Sequence, residues 1–416
     1  MIVREFAGVP IASIARDFGT PTYVYDQAVI ERRIDDLAGF PVVRYAQKAC
    51  SNVAILDLMR RKGVLVDATT AGEVHRALTA GYRPEEVVYT SDAFDRTALE
   101  LAAKLPVGVN CGSSDMIRQI AAVSPGRRLT LRINPGFGHG HSQKTNTGGE
   151  GSKHGIWHEQ LPDCLALAKQ LGVVVHGLHV HIGSGSDFEH LAQVRHAMER
   201  LAALVGRDLE VISAGGGLPT PYRPEDQPLD VARFTSMWLE TRDRIQERLG
   251  RPVQLEVEPG RYLVAESGGL VCEIRAVKVQ GSKTYYIVDA GFNNLARPVL
   301  YGAYHPISIC PSDGRPVSQT QPVVVAGPLC ESGDVFTQSE GGFVETRELP
   351  VARVGDFLTI HCAGAYGFSM SSNYNSTPTA AEVLVREGEA VLIRERQPIE
   401  DLVRLERLPS RATGDA

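Results

Sequence analysis

Between Pro41 and Arg261 the chain repeats one pattern, a short apolar run followed by a stretch of helical character. Eight such runs can be read: Val42–Gln47, Val64–Asp67, Val87–Thr90, Val107–Asn110, Leu129–Ile133, Val174–Ile182, Leu209–Ala214 and Leu255–Glu258. Runs of Val, Ile and Leu without polar alternation belong to strands covered on both faces, as in an all-parallel sheet. Helical segments separate most of them. Asn52–Lys62 sets Val53, Leu56 and Met59 on one stripe, and Ala71–Ala80 gathers Val74, Ala77 and Leu78. Asp187–Val205 and Val231–Leu249 are longer and amphipathic. Eight β/α units predict a (β/α)8 TIM-like barrel, with a doubly wound open sheet as the alternative, because a count of strands does not show closure.

After Arg261 the pattern changes. Val271–Gln280, Thr284–Asp289, Val323–Ala326, Phe357–His361, Val383–Arg386 and Ala390–Arg394 read as strands joined by loops rich in Gly, Pro, Ser and Asn. This predicts a mostly antiparallel C-terminal β domain. Thr22–Tyr25 is also strand-like and precedes a first barrel helix near Gln27–Leu37. The expected division is an N-terminal segment joining the β domain over 1–26, a barrel over 27–268, the β domain over 269–408 and a flexible tail over 409–416.

The 416 residues carry a formal net charge of -6, which argues against a nucleic-acid binder with a basic face. Seven cysteines, an odd number with no Cys-x-x-Cys pair, argue against a disulfide framework or zinc site and for reduced thiols. Met1–Pro10 has no signal-peptide apolar run, and no apolar run reaches membrane-span length. A cytoplasmic protein is expected.

Chemistry in such a barrel sits at the C-terminal ends of its strands. Those ends carry Lys48, Asp67, Asn110, Asn134, His181, Gly215-Gly216-Gly217 and Glu258-Pro259-Gly260-Arg261. Lys48 is either a solvated charge or, with a partly desolvated amine, a Schiff-base former. Gly215, Gly216 and Gly217 form either a tight turn or a loop whose amides approach a phosphate. Gly183-Ser184-Gly185 offers a second such cradle, and Gly260-Arg261 adds a cation. Together they point to a phosphorylated ligand. Glu258 gives that ligand a chemistry: a carboxylate beside the pyridine nitrogen of pyridoxal phosphate keeps the nitrogen protonated and the ring an effective electron sink. His181 is either a hydrogen-bonded core histidine or a plate against that ring.

With these residues in place, the chain resembles the fold type III, alanine-racemase-like pyridoxal-phosphate decarboxylases, and most closely the diaminopimelate decarboxylase family. The likeness runs from Pro21-Thr22-Tyr23-Val24-Tyr25 to Ser371-Ser372-Asn373-Tyr374-Asn375. Its motifs, in the family's order, are Tyr45-Ala46-Gln47-Lys48-Ala49, His179-Val180-His181-Ile182-Gly183-Ser184, Glu258-Pro259-Gly260-Arg261, Cys330-Glu331-Ser332-Gly333-Asp334 and Gly364-Ala365-Tyr366. Leu131–Trp157 looks like the enterobacterial-type members.

The resemblance implies decarboxylation of meso-2,6-diaminopimelate to L-lysine and carbon dioxide, the last step of lysine biosynthesis. It implies that Lys48 carries pyridoxal phosphate covalently, that His181 stacks on the ring, and that Glu258 pairs with its nitrogen. Ser184, Gly215, Gly216, Gly217, Gly260, Arg261 and Tyr366 would surround the phosphate. Cys330 would protonate the substrate carbon. Arg297 and Tyr301 would grip the substrate's distal carboxylate, with Arg261 and Tyr366 also at the substrate and Glu331 on its distal ammonium. Cys330 and Glu331 would come from the partner subunit, so a homodimer with shared active sites is implied. Taken by itself, Arg297 could equally serve a surface or interface salt bridge.

Two features depart from the expected pattern. Thr70 stands where relatives usually carry Ser, which leaves the role of Asp67 open. The Gly136–Gly155 loop is long for a barrel connection; it reads as a mobile substrate cover ahead of a metal site, since His139 and His141 lack a carboxylate or cysteine at ligand spacing. The rival functions are a decarboxylase of another amino acid, an amino-acid racemase, and a non-catalytic homologue.

Overall fold

The structure is a computed structural model, which describes residues 1–138, 147–181, 183 and 188–409. The barrel strands are β1 (Val42–Ala46), β2 (Leu65–Ala68), β3 (Val87–Ser91), β4 (Gly108–Cys111), β5 (Arg128–Asn134), β6 (Val174–Val180), β7 (Val211–Ser213) and β8 (Gln254–Val257). All pair in parallel with their neighbours in chain order, β8 pairs with β1, and β5 pairs with β6. The sheet therefore closes, which decides against the open doubly wound alternative.

Several helices of the barrel unit begin where the sequence supplies a cap. Asp26, Asn52, Asp95, Ser113 and Asp230 each accept a backbone N–H of the first turn that follows. Thr70 does the same, its Oγ1 accepting from Glu73 N–H at 3.1 Å, while the Glu73 carboxylate accepts from Thr69 N–H at 2.7 Å. Threonine and serine hydroxyls serve that bond equally, so the departure at position 70 leaves the local structure intact.

The barrel interior is polar as well as packed. Arg44 on β1 makes a forked pair with Glu256 on β8, at 2.7 Å (Nε to Oε2) and 2.9 Å (Nη2 to Oε1), and both residues are buried. Removing one member of a buried ion pair leaves the other charge uncompensated, at a cost of roughly 3–5 kcal/mol. Glu256→Ala should lose that much stability, read as a lower urea midpoint. Glu256→Ala with Arg44→Met should recover a large part of it, because no lone buried charge then remains.

The β unit comprises residues 1–25, 270–360 and 370–416, and the barrel unit residues 26–269 and 361–369. Its main sheet runs, in spatial order, Arg347–Pro350, Thr320–Ala326, Lys283–Val288, Gly268–Gln280, Thr22–Asp26, Ala381–Arg386 and Glu389–Arg394. Phe357–Ile360 pairs antiparallel with both Gly268–Gln280 and Ile307–Cys310. Among the described strand registers of the β unit, Thr284–Ile287 with Val323–Ala326 is parallel, and Ile2 adds a parallel bridge to Ile309. A core cluster explains why the N-terminus folds here: Phe6, Ile11, Ile14 and Val24 are buried against Val271, Cys310, Val383 and Val385. No helix among the described residues is long and apolar enough to cross a membrane.

Candidate active site

Lys48 lies in a short helical turn, Gln47–Ala49, directly after β1, and its side chain is exposed while Gln47 and Ala49 are buried. That turn is tied to the end of β8. Ala46 N–H donates to Pro259 O at 3.0 Å, and a Cβ on Gly260 would meet Ala46 O at 3.1 Å. The lysine and the Glu258-Pro259-Gly260-Arg261 segment thus share one barrel mouth.

Glu258 is buried, and both its carboxylate oxygens are engaged. His179 Nε2 lies 2.6 Å from Oε2, and Ser213 Oγ donates to Oε1 at 3.0 Å. Burial alone would raise this carboxyl; the His179 charge and hydrogen bond, the Ser213 hydroxyl and the Arg44 charge together outweigh it and hold Glu258 below the usual carboxylate range. Asp67, on the neighbouring strand β2, is pushed the opposite way. Burial, then the Glu258 charge, drive its carboxyl well above the usual range, against the Thr90 hydrogen bond and the Lys48 charge. Thr90 in turn accepts from Asn110 Nδ2 at 2.8 Å. The two buried carboxyls of the mouth are thus driven in opposite directions by their surroundings, Glu258 toward the ionised form and Asp67 toward the protonated one.

His181 sits against the glycine turn. Gly216 N–H donates to its Nδ1 at 3.2 Å, and burial followed by the charges of Arg132 and Lys48 keeps its pKa well below the usual histidine value. The ring is neutral. Gly215 and Gly217 adopt φ of 64° and 94°, and side chains at 215, 216 and 217 would overlap the carbonyl oxygens of Val180, Glu258 and Gly183 respectively. Glycine is required at all three positions to let β6, β7 and β8 converge. Gly215 N–H is committed to Ser213 Oγ at 3.1 Å, as Gly216 N–H is to His181.

Arg261 donates from Nη1 to Tyr222 Oη at 2.9 Å, and its guanidinium carbon stands 5.0 Å from the centroid of the Tyr366 ring. Tyr366 has φ of 56°, a left-handed conformation rare for a bulky side chain, and its N–H donates to Ala49 O at 2.7 Å. Residues 361–369 are thereby laced to the segment that carries Lys48. Asn134, at the end of β5, clamps the neck of the long loop: its Oδ1 accepts from Gly136 and Gly149, and its Nδ2 donates to Gly149 O at 3.0 Å. Ser184, His139 and His141 lie outside the described residues. Among the described residues no His, Cys, Asp and Glu group is arranged to hold a metal ion.

The remaining candidates belong to the β unit. Arg297 and Tyr301 stand one helical turn apart on the short helix Arg297–Tyr301; Arg297 is buried and its Nη1 lies 2.8 Å from His305 Nε2. Cys330 is the exposed member of seven free cysteines, and its N–H donates to Asn375 Oδ1 at 2.9 Å. Tyr374 Oη donates to the adjacent Glu331 carboxylate at 3.4 Å.

His179, Ser213, Tyr222 and His305 carry no role in the sequence reading. A signal for His179 and Ser213 existed: each stands at or next to the C-terminal end of its strand, where the chemistry of a barrel sits. Tyr222 and His305 had none, since only the fold brings them to an arginine.

The donor set fits pyridoxal phosphate. A primary amine for the aldehyde, a buried ionised carboxylate for the ring nitrogen, a neutral imidazole for a ring face and an arginine beside a glycine turn for the phosphate share one mouth. These features define a barrel of the pyridoxal-phosphate-binding class. Residues 28–265 match the family model of the pyridoxal-dependent decarboxylase, pyridoxal binding domain. The diaminopimelate decarboxylases of Escherichia coli K12 and Streptomyces coelicolor are 54% and 51% identical to the chain, over 94% and 97% of it and 95% and 93% of their own lengths. A crystal structure of a diaminopimelate decarboxylase superposes with a TM-score of 0.93 at 53% identity, covering 95% of this chain and 96% of that one. The Helicobacter pylori enzyme complexed with L-lysine superposes at 0.84 and 30% identity, covering 95% and 98%. The chain belongs to the diaminopimelate decarboxylase family of pyridoxal-dependent decarboxylases.

Proposed function

We propose that the protein decarboxylates meso-2,6-diaminopimelate to L-lysine and carbon dioxide. The observation that carries this is the likeness, over nearly the whole chain, to relatives named for that activity. Pyridoxal phosphate, when bound, would supply a ring able to accept the electron pair left at the substrate's Cα. Lys48 would hold it through its side-chain amine. Glu258, kept ionised by His179 and Ser213, would hold a proton on the ring nitrogen, and His181 would stand against the ring face. Ser184, Gly217, Gly260, Arg261 and Tyr366 receive the phosphate; Gly215 and Gly216, their amides already committed, shape the turn. Cys330 delivers a proton to Cα once carbon dioxide has left.

Arg297 and Tyr301, assisted by Arg261 and Tyr366, bind the distal carboxylate, and Glu331 binds the distal ammonium. In this reading the protein works as a homodimer, with Cys330 and Glu331 of one chain completing the site of the other. The setting in this reading is the cytoplasm, where reduced thiols persist.

The test is carbon dioxide release from meso-diaminopimelate, L-lysine, L-ornithine and L-arginine with pyridoxal phosphate added. A site that binds a carboxylate through a fork rejects substrates lacking it by on the order of 10⁴-fold in kcat/KM. No release from meso-diaminopimelate rejects the assignment, and interconversion of amino-acid stereoisomers without release of the gas would mark a racemase instead.

A further inference from the structure

We propose that His305 is a positioning residue for substrate recognition: its Nε2 accepts a hydrogen bond from Arg297 and fixes the orientation of the guanidinium that binds the distal carboxylate. The proposal rests on the reading of Arg297 given above.

Arg297 Nη1 and His305 Nε2 are 2.8 Å apart, and the two residues are 7% and 2% exposed. A guanidinium carries only donors, so Nε2 presents its lone pair, and the imidazole proton sits on Nδ1. That chemistry suits an arginine destined for an anionic ligand. A carboxylate in this place would cancel the guanidinium charge and compete with the substrate. A neutral imidazole takes one of five N–H donors and adds no negative charge.

Both ends of the contact are fixed. Arg297 opens a helix whose next residue is Pro298, which presets the first turn. The His305 carbonyl accepts from Arg347 Nη1 at 3.1 Å, and the Arg347 guanidinium lies 3.7 Å from the Tyr304 ring centroid. An arginine side chain is costly to order on binding. Ordering it in the free enzyme moves that cost out of the binding step, so the effect falls on affinity.

The experiment compares His305→Leu, His305→Gln, His305→Asn and Arg297→Met as holoenzymes whose cofactor loading is verified by visible absorbance. His305→Leu should raise KM for meso-diaminopimelate roughly tenfold or more, with kcat little changed. L-lysine keeps the distal carboxylate and should weaken in parallel as a competitive inhibitor. 1,5-Diaminopentane lacks it and should inhibit as before. His305→Gln, whose Oε1 reaches the Nε2 position, should restore KM, and the shorter His305→Asn should not. If His305→Leu fails to fold, the contrast between Gln and Asn carries the test. An unchanged KM in the His305 variants with a raised KM in Arg297→Met overturns the proposal and leaves the Arg297 reading standing; an unchanged KM in all of them overturns both. Equal weakening of L-lysine and 1,5-diaminopentane also overturns it, since that marks general damage.

Discussion

Replacing Lys48 by alanine should lower kcat on the order of 10³–10⁶-fold, the range seen when a covalent catalytic group is removed, and should leave the fold unchanged. The side chain is exposed and makes no hydrogen bond or ion pair among the described contacts, so its loss opens no cavity in the core. The neighbours that shape the turn, Gln47 and Ala49, stay buried, and the Ala46–Pro259 and Ala49–Tyr366 bonds are made by backbone. Far-ultraviolet circular dichroism should therefore match the parent. The visible absorbance of the loaded enzyme, and its abolition by borohydride, should be lost with the amine. A Lys48→Ala protein that turned over at the parent rate would sink the assignment. Asp67 gives a companion control. Burial and the Glu258 charge push its carboxyl well above the usual range, toward the neutral form that Asp67→Asn imitates, so this variant should fall far short of the Lys48 effect.

The barrel was legible because parallel strands covered on both faces have little choice of residues. Val64–Asp67 and Val107–Asn110 announce themselves as apolar runs, and the observed strands lie within two residues of those runs at each end. The β unit hid more. Ile307–Cys310 is a four-residue strand set among prolines, and Arg347–Pro350 mixes charge with its two apolar residues. Each owes its conformation to a partner strand distant in sequence. The helix Ile11–Phe18 carried a signal, Ile11, Ile14, Ala15 and Phe18 at helical spacing, but two turns in length are easily passed over.

The candidate site divides in the same way. Lys48 and Glu258 stand at strand ends and could be found by reading those ends in order. What holds them could not. The bonds from His179 and Ser213 to Glu258 cross between strands, and residues 361–369 join the barrel unit through Ala363 N–H to Gly268 O and Tyr366 N–H to Ala49 O. Pairings of that kind depend on closure of the sheet, and closure has no local signature. His305 is eight residues from Arg297, beyond the end of its helix and a stretch without regular structure, so no continuous helix or strand carries a period from one to the other.

Glu258→Gln should produce the second large effect, a fall in kcat of roughly 10²–10³-fold, the scale on which one oriented electrostatic group acts in a water-excluded site. The substitution preserves shape and leaves an oxygen able to accept from Ser213 Oγ, as Glu258 Oε1 does at 3.0 Å. It removes the charge. A neutral amide gives a protonated ring nitrogen no ionic partner, and the pKa of that nitrogen should fall accordingly. His179 then decides how much stability is lost. Its Nε2 stands 2.6 Å from Glu258 Oε2 and its Nδ1 is buried without a partner among the described residues, so an amide nitrogen facing Nε2 is tolerated when Nε2 gives up its proton and accepts. With Nε2 accepting, the one remaining ring N–H is at Nδ1, which is buried with no partner among the described residues, and that is costly. Glu258→Gln should therefore bind pyridoxal phosphate with a shifted visible band and lose roughly 1–3 kcal/mol of stability, with most of the kcat loss arising from chemistry rather than unfolding. Ser213→Ala separates the two contributions, because it removes a support for the carboxylate while keeping its charge: kcat should fall by much less than in Glu258→Gln, and the visible band should stay where it is. Equal losses in the two variants would mean that the geometry of the carboxylate, and not its charge, sets the rate.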